Sequence, residues 1–496
     1  MYESKYSKYI TRNDSRYATK EEIKRSCAVI SSTFPPEGCG VPLLWDRSLL
    51  YVDDSDTHYY IQGQTGSKKS RVVGTNLVYS IIQKGENAII NDPKGEFYRR
   101  TAGNAKKEGY NVKVLNLRDP KNSDGWNPMD IIYQLYQSGD IDASEQYTSD
   151  LISAVISRVR EKTADYFWPD NASYLLAFCI DLLKLTVPKE YFNFASVTQF
   201  ANEANIERLR WVLRDMDQMT NTAMNMRAIL DISAEKTLSC IYATLKQALQ
   251  PITQNPTFVD FISRNDISFN DLVDKKTIIY VIYPDEKTSL NFLISLFMTQ
   301  CYQYLVSYSA KLPKARLVRR VNFVLDEFSN LPAVENFENR ISEARGHNIR
   351  YFLFSQSYSQ LKNRYKENAD TIISNCDWII FPSKEYDFLS RVSSICGAEY
   401  DFYGVKQELV SVSELQHLKK FDDSAEVLVL KSGQYPFISK LPDFAYTPVF
   451  EKCDDSYYTE IRTESSVKVI TFDEWYKGLH ITYDHPILHT KKSNQS

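Results

Sequence analysis

Residues 63 to 70 have the spacing of a phosphate-binding loop. In that pattern a glycine and four further residues precede Gly-Lys-Ser/Thr, so that backbone N–H groups surround a phosphate, the lysine reaches it and the hydroxyl binds Mg²⁺. Gly63, Lys69 and Ser70 occupy the expected positions, but Lys68 replaces the second glycine. The segment therefore indicates nucleotide binding, with one departure inside the loop.

Lys68 has two opposite interpretations. Its side chain can obstruct the close approach of the loop backbone to phosphate, which is the reason for a glycine at this position. Alternatively, its ammonium group can become an additional phosphate ligand. We favour obstruction, because Lys69 already occupies the position from which a lysine reaches the phosphates. On that expectation, Lys68→Gly would tighten the binding of Mg-ATP.

A second candidate for chemistry is the acidic pair Asp326-Glu327, which ends the apolar run in VNFVLDEF. In P-loop ATPases with an additional strand, such a pair places the aspartate toward Mg²⁺ and uses the glutamate to activate the attacking water. An acidic pair at a strand end is otherwise ordinary surface polarity. The phosphate-binding loop upstream favours the catalytic interpretation.

The elements that must position these groups alternate between strands and helices. The segments around the loop predict a strand (HYYIQ), a helix (RVVGTNLVYSIIQ) and two further strands (NAIINDPKGEF and VKVLNL). This alternation is typical of a parallel α/β sheet. Apolar residues then recur at helical spacing, and strand-like runs resume with TIIYVIYP. We predict an irregular N-terminal segment at 1–55, a first α/β part at 56–130, an all-α domain at 131–275, a second α/β part at 276–451 and a C-terminal tail at 452–496.

The composition is that of a globular protein. Of the 496 residues 43% are hydrophobic, and the net charge of −4 excludes a polycationic coat for nucleic acid. The eight cysteines are scattered without CxxC pairs, which predicts reduced thiols. The N-terminus is polar and lacks the apolar core of a signal peptide. The uncharged run 289–310 contains several amides, which favours a buried helix over a membrane span.

Seven segments carry a specific resemblance. They are GQTGSKKS, NDPKGEFYRRTAGNAKKEGYNVKVLNL, NPMD, DYFWPDNASYLLAF, IYPDEKTSLNFLISLFMTQ, VLDEFSNLP and ARGHNIRYFLFSQSYSQLKNRYKENADTIISNCD. In this order they resemble the VirD4/TraG type IV secretion coupling proteins, hexameric ATPases that deliver DNA or protein to a conjugation channel. The resemblance covers residues 63 to 449. It implies an α/β fold, a RecA-like P-loop ATPase domain with a mainly parallel sheet, interrupted by an all-α cargo-recognition domain.

The same resemblance implies roles for individual residues. Glu327 is the implied catalytic carboxylate, Gln356 the γ-phosphate sensor and Arg345 the arginine that reaches the nucleotide of the neighbouring subunit. The implied cofactors are ATP and Mg²⁺, with Ser70 and Asp326 as the Mg²⁺ ligands. The implied nucleotide-binding residues are Gly63, Gln64, Thr65, Gly66, Ser67, Lys68, Lys69, Ser70 and Asp326.

The implied partners are relaxase-bound conjugative DNA or other protein cargo, subunits of the secretion channel, and further copies of the chain in a homo-hexamer. Family members usually carry transmembrane helices ahead of the motor. Since this sequence shows none, it is expected to be a soluble member, a member anchored by a partner or a truncated one. We expect a protein of the bacterial cytoplasm that lies at the inner face of the cell membrane through its partners. Two alternatives stay open: a general hexameric DNA translocase, and a docking adaptor with impaired nucleotide binding.

Two further features have open interpretations. The turn Asp92-Pro93-Lys94-Gly95-Glu96 is equally consistent with a place beside the nucleotide and with a tight turn held by a Lys–Glu pair. Five basic residues before the acidic strand are consistent with a phosphate-contacting surface or with a solvated loop. We favour the solvated loop, because no aromatic residues that could stack on bases are interleaved with them. The basic residues are Lys311, Lys314, Arg316, Arg319 and Arg320.

Overall fold

The strands build one large sheet and two small ones. The computed structural model describes residues 15–215, 223–224, 226–227, 235–284, 290–331, 333–334, 336–400, 405–457 and 467–481. The strands are β1 (Ala28–Ser31), β2 (Pro42–Asp46), β3 (Leu49–Val52), β4 (His58–Gln62), β5 (Asn87–Asn91), β6 (Asn111–Asn116), β7 (Thr277–Ile282), β8 (Val321–Leu325), β9 (Ile349–Ser355), β10 (Cys376–Ile380), β11 (Ala398–Tyr400), β12 (Lys406–Glu408), β13 (Ser424–Leu430) and β14 (Phe437–Pro442).

The large sheet has the strand order β14-β13-β10-β4-β9-β8-β5-β7-β6. Neighbours from β10 to β7 run parallel, whereas β13 and β14 form an antiparallel edge. Strands such as β5 and β7 are buried along their whole length, which explains why they read as apolar runs without alternation. The parallel register aligns Gln62 with Ser355 and Asn91 with Leu325. The carboxyl ends of β4, β5, β8 and β9 therefore meet at one edge.

The helices connect these strands and form a separate helical region. They are α1 (Lys20–Arg25), α2 (Thr75–Lys84), α3 (Glu96–Lys107), α4 (Asp130–Gln137), α5 (Ile141–Arg160), α6 (Phe167–Thr186), α7 (Phe194–Phe200), α8 (Ile206–Asp215), α9 (Glu235–Thr253), α10 (Pro256–Phe261), α11 (Asp271–Asp274), α12 (Asn291–Ala310), α13 (Phe337–Glu343), α14 (Tyr358–Tyr365), α15 (Asn368–Ser374), α16 (Tyr386–Cys396), α17 (Val412–Gln416) and α18 (Phe472–Ile481).

The chain divides into two compact units. The first comprises Met1–Val114, Phe269–Glu286 and Cys301–Tyr458 and contains most of the large sheet. The second comprises Leu115–Ser268, Lys287–Gln300 and Thr459–Ser496, and its described part is mainly helical. The fold class predicted from the sequence, a mainly parallel α/β sheet interrupted by a helical insertion, is confirmed. The functional roles of the predicted segments stay predictions.

The N-terminal segment is more regular than the sequence predicts. Instead of an irregular stretch up to residue 55, β1, β3 and β2 form a three-stranded antiparallel sheet. The strands are only 4 or 5 residues long, and the turn residues Pro35, Pro36 and Gly38 lie between β1 and β2, so the short apolar runs are hard to recognise in the sequence. Leu43 and Val41 nevertheless join the core that lies against β4 and α2.

The predicted C-terminal tail contains a helix with buried aromatic side chains. Within α18, the side chains of Phe472 and Trp475 are each only 4% exposed. The indole Nε1 of Trp475 donates a hydrogen bond of 2.8 Å to Thr186, and its ring lies 5.1 Å from that of Phe200. Buried aromatic contacts of this kind stabilise a segment whose overall composition is polar. Residues 482–496 lie outside the described part of the chain.

The uncharged run that ends at Ala310 forms the predicted buried helix, α12. Gln300 on this helix is fully buried, and its amide nitrogen donates to the carbonyl of Pro128 at 3.1 Å. Across the described ranges, no helix combines the length and the apolar character that a bilayer crossing requires.

Candidate active site

The sheet edge at the carboxyl ends of β4, β5, β8 and β9 collects the residues that the sequence singled out. Gly63 follows β4, Asp92 follows β5, Asp326 follows β8 and Gln356 follows β9. The four strands are adjacent in the order β4-β9-β8-β5. In open parallel sheets, ligands bind beside the carboxyl ends of the strands. The fold therefore brings the loop, the acidic pair and the amide into one site.

The loop between β4 and α2 has the backbone of a phosphate cradle. A Cβ atom added at Gly63 would lie 2.5 Å from Phe381 and 2.7 Å from Ser67, so only glycine fits there. Gly66 has φ of +74° and open space around it. In the described chain, the N–H groups of Gly66, Lys68 and Lys69 have no hydrogen-bond partner, and neither has the buried hydroxyl of Ser67. These free donors suit the oxygens of a phosphate.

Lys68 adopts the left-handed backbone that the missing glycine would take, with φ of 71°. Its ammonium group donates to the carbonyls of Phe421 and Asp422 at 2.7 and 2.9 Å and lies 3.7 Å from the carboxylate of Asp443. Neither sequence-based interpretation of Lys68 describes this arrangement. The side chain is a tether that joins the loop to the start of β13.

The tether belongs to a wider set of contacts on the loop. Arg71 forms a bidentate pair with the fully buried carboxylate of Asp443, at 2.6 and 2.9 Å. Lys420 donates to the carbonyl of Gly66 at 3.1 Å. These contacts bridge more than 350 residues of sequence, so no local pattern in the sequence indicates them. They hold the loop in shape without the usual glycine.

We expect the tether to stabilise the loop locally. Lys68→Met removes the charge-assisted hydrogen bonds, and bonds of this kind contribute about 1.5–3 kcal/mol each. We therefore expect hydrogen exchange at the amides of Arg71 and Val72 to become about tenfold faster. Lys68→Gly should accelerate it less, because glycine recovers about 1 kcal/mol of left-handed backbone strain. Mass spectrometry of exchanged peptides measures both effects. Unchanged exchange in the methionine variant would contradict the tether.

Lys69 and Ser70 face the acidic pair across the site. Lys69 is 6% exposed; burial lowers its pKa, while the carboxylates of Glu327 and Asp326 act in the opposite direction. The hydroxyl of Ser70 lies 3.4 Å from Asp326. Burial, and next the charge of Glu327, raise the pKa of Asp326 to about 6. A hydroxyl and a carboxylate in contact are oxygen ligands of the kind that Mg²⁺ takes.

Glu327 is connected to the phosphate-binding loop by hydrogen bonds. One carboxylate oxygen accepts a hydrogen bond of 2.7 Å from the amide of Gln356, whose carbonyl oxygen accepts one of 2.9 Å from Thr65. Glu327 is 8% exposed and has φ of 51°, a strained conformation of a kind that clusters at functional sites. Thr65, Gln356 and Glu327 thus form a hydrogen-bonded chain from the loop to the acidic pair.

The turn after β5 also lies at this edge. Glu96 pairs with Arg100 at 2.7 Å, and Lys94 instead lies 3.9 Å from the carboxylate of Glu327. The structure supports the interpretation that places the turn beside the site. The alternative, a turn held by a pair between Lys94 and Glu96, is wrong. The buried carboxylate of Asp92 caps α3 by accepting from two backbone N–H groups, and burial raises its pKa to about 7.

Arg345 is the one predicted site residue that the fold places elsewhere. It precedes β9, whereas Gln356 follows β9, so the two residues lie at opposite ends of this strand. The strand between them has 7 residues, which corresponds to roughly 20 Å. Arg345 is exposed and donates to the carbonyl of Asn375 at 3.0 Å. Within one chain it does not join the other site residues.

The basic cluster before β8 is partly neutralised within the chain. Arg316 pairs with Asp56 at 2.7 Å, and Arg320 pairs with Asp54 and Asp56 at 3.0 and 2.9 Å. These guanidinium groups anchor the loop to the segment before β4. The pairs favour the solvated loop over a phosphate-contacting surface.

Comparison with known proteins places the chain in a family. The family model for the type IV secretory system conjugative DNA transfer proteins matches residues 11–424. The chain belongs to this family. The conjugal transfer protein TraG of Escherichia coli is 24% identical over 407 residues, with 75% of this chain and 62% of the relative covered. VirD4 of Rhizobium rhizogenes is 24% identical over 420 residues, with 79% and 59% covered.

Solved structures share the fold. The plasmid coupling protein TrwB, in complex with the ATP analogue ADPNP, superimposes with a TM-score of 0.57 at 15% identity over 90% of this chain and 97% of its own. VirB4 of Thermoanaerobacter pseudethanolicus does so with a TM-score of 0.52 at 12% identity, over 84% and 99%. The resemblance to the VirD4/TraG family and the RecA-like α/β fold are thus confirmed. The chain spans about three fifths of the TraG and VirD4 relatives that it matches.

Proposed function

We propose that this chain binds ATP with Mg²⁺, hydrolyses it, and works as the coupling protein of a type IV secretion system. The observation that carries the proposal is the convergence of the phosphate-binding loop, Asp326-Glu327 and Gln356 at the ends of adjacent parallel strands. Family membership and the nucleotide-bound TrwB structures support it.

The residues present fit a nucleotide with its metal. Free N–H groups of the loop and the hydroxyl of Ser67 would bind phosphate oxygens, and Lys69 would add a buried cation. Ser70 and Asp326 would hold Mg²⁺, which supplies charge stabilisation to the phosphates when it is bound. Gln64, Thr65 and Gly66 form the remaining wall of the loop, and Lys68 acts through its tether.

The acidic pair gives the site a route to hydrolysis. Glu327 would accept a proton from the water whose oxygen attacks the γ-phosphorus, while the bond between the γ-phosphorus and the bridging oxygen breaks and ADP leaves. Gln356 bonds Glu327 and is bonded by Thr65, so it would sense the terminal phosphate and align the carboxylate with it. Arg345 would act on the nucleotide of an adjacent copy.

The proposed cargo is conjugative DNA with its relaxase, or another secreted protein, delivered to channel subunits by a homo-hexamer. The all-α region at 131–275 would recognise the cargo, and partners would provide the contact with the cell membrane from the cytoplasmic side. Membership of the family supports these proposed roles.

Hydrolysis in the presence of DNA tests the proposal. We expect the purified chain to release phosphate from Mg-ATP faster when single- or double-stranded DNA is added, and Lys69→Ala to abolish that release. DNA stimulates both kinds of motor, so relaxase separates them: a further increase in rate with relaxase-bound DNA would favour the coupling protein, and equal rates with bare and relaxase-bound DNA would favour a general DNA translocase. Binding of nucleotide without hydrolysis under any of these conditions would favour the docking adaptor.

A further inference from the structure

Lys94 lies at the tip of a turn that is fixed on both sides. The N–H of Gly95 donates to the carbonyl of Asp92 at 3.0 Å, and Gly95 has φ of +69°, which favours glycine. The carboxylate of Asp92 accepts from the N–H groups of Glu96 and Tyr98 at 2.9 and 2.8 Å. Lys94 therefore projects from a rigid backbone at the edge where Glu327 lies.

The ammonium group of Lys94 faces the carboxylate oxygen of Glu327 that Gln356 does not bond. Its Nζ lies 3.9 Å from Oε1 of Glu327, while Gln356 donates to Oε2. The two contacts therefore involve different oxygens of the same carboxylate. The side chain of Lys94 is 53% exposed, and an ion pair with one solvent-exposed partner contributes little to stability. The fold therefore does not depend on this pair.

We propose that Lys94 is a positioning residue for Glu327. The lysine orients the carboxylate toward the attacking water and does not itself bind the nucleotide; the inference rests on the proposed ATPase function. Small errors in the position of a catalytic group reduce rates strongly, by about 10²-fold for 1 Å. Lys94 thus affects the rate of the chemical step, and neither nucleotide affinity nor folding requires it.

Three measurements on Lys94→Met test this role. We expect kcat to fall about tenfold or more, the Kd for a Mg-bound non-hydrolysable ATP analogue to stay within about twofold, and the melting temperature to stay unchanged. Lys94→Arg should restore most of kcat, because its cation also reaches Glu327. Lys106→Met, at an exposed lysine of the helix that this turn begins, is the matched control and should behave as wild type.

A double-mutant cycle shows whether Lys94 acts through Glu327. In the Glu327→Gln background, Lys94→Met should lower kcat no further, since the carboxylate that it orients is gone. A higher Kd for Lys94→Met would show that Lys94 binds phosphate directly, and a lower melting temperature would show that it has a structural role. Either result, or an unchanged kcat, overturns the proposal for Lys94 alone. Absence of hydrolysis by the wild-type protein would overturn the proposed function and the role of Lys94 with it.

Discussion

Glu327→Gln should lower ATP hydrolysis at least ~10²-fold while nucleotide binding is retained. The substitution removes the proton acceptor, and general-base catalysis contributes about 10²–10⁴-fold. It keeps the size of the side chain and a carbonyl oxygen for the hydrogen bond from Gln356, so the loop and its free N–H groups stay in place. Steady-state phosphate release measures the rate, and calorimetry with a non-hydrolysable analogue measures the affinity.

Glu343→Gln is the matched control, because Glu343 is an exposed glutamate at the end of α13. We expect it to hydrolyse ATP as the wild-type protein does. Turnover by Glu327→Gln at the wild-type rate would refute the catalytic assignment of this residue.

Mixing two inactive variants should restore activity. Arg345→Ala removes the arginine proposed to act on a neighbouring nucleotide, and Lys69→Ala removes the phosphate lysine, so each variant alone should lose at least ~10²-fold in rate. In a mixed assembly, some interfaces pair an intact Arg345 with an intact Lys69. Arg345 and Gln356 lie at opposite ends of the 7-residue strand β9, which spans roughly 20 Å, and this separation within one chain is the structural reason to expect complementation.

Phosphate release as a function of the mixing ratio measures the effect, with Arg364→Ala, at an exposed arginine of α14, as the control variant. Full hydrolysis by a monomer, or mixtures no more active than either variant, would contradict an action between subunits.

Part of the candidate site could be predicted from the sequence, because several of its residues follow strands of the parallel sheet. Lys69 and Asp326 lie close behind apolar runs, and parallel strands bring such positions to one edge, whereas Gln356 was implied only by the family resemblance. The position of Lys94 beside Glu327 required the strand order, because β5 and β8 are neighbours in the sheet but distant in the sequence.

Other features depended on contacts that no local pattern carries. The tether from Lys68 reaches Phe421 across 353 residues of sequence. The sequence therefore showed that a glycine is missing, but not the contacts that the lysine makes in its place. The short strands β1 to β3 were hidden among turn residues, and the burial of Trp475 against Thr186 depends on the helical unit that it joins. In each case tertiary packing outweighed composition.

Calorimetric titration of Mg-ATP analogue into the wild-type protein and into Lys69→Ala is the most direct test of the nucleotide site. We predict Mg²⁺-dependent binding by the wild-type protein and a loss of at least ~10-fold in affinity for Lys69→Ala, because a buried cation that meets the phosphates is removed. No binding by the wild-type protein, or equal affinity of the two proteins, would contradict the account.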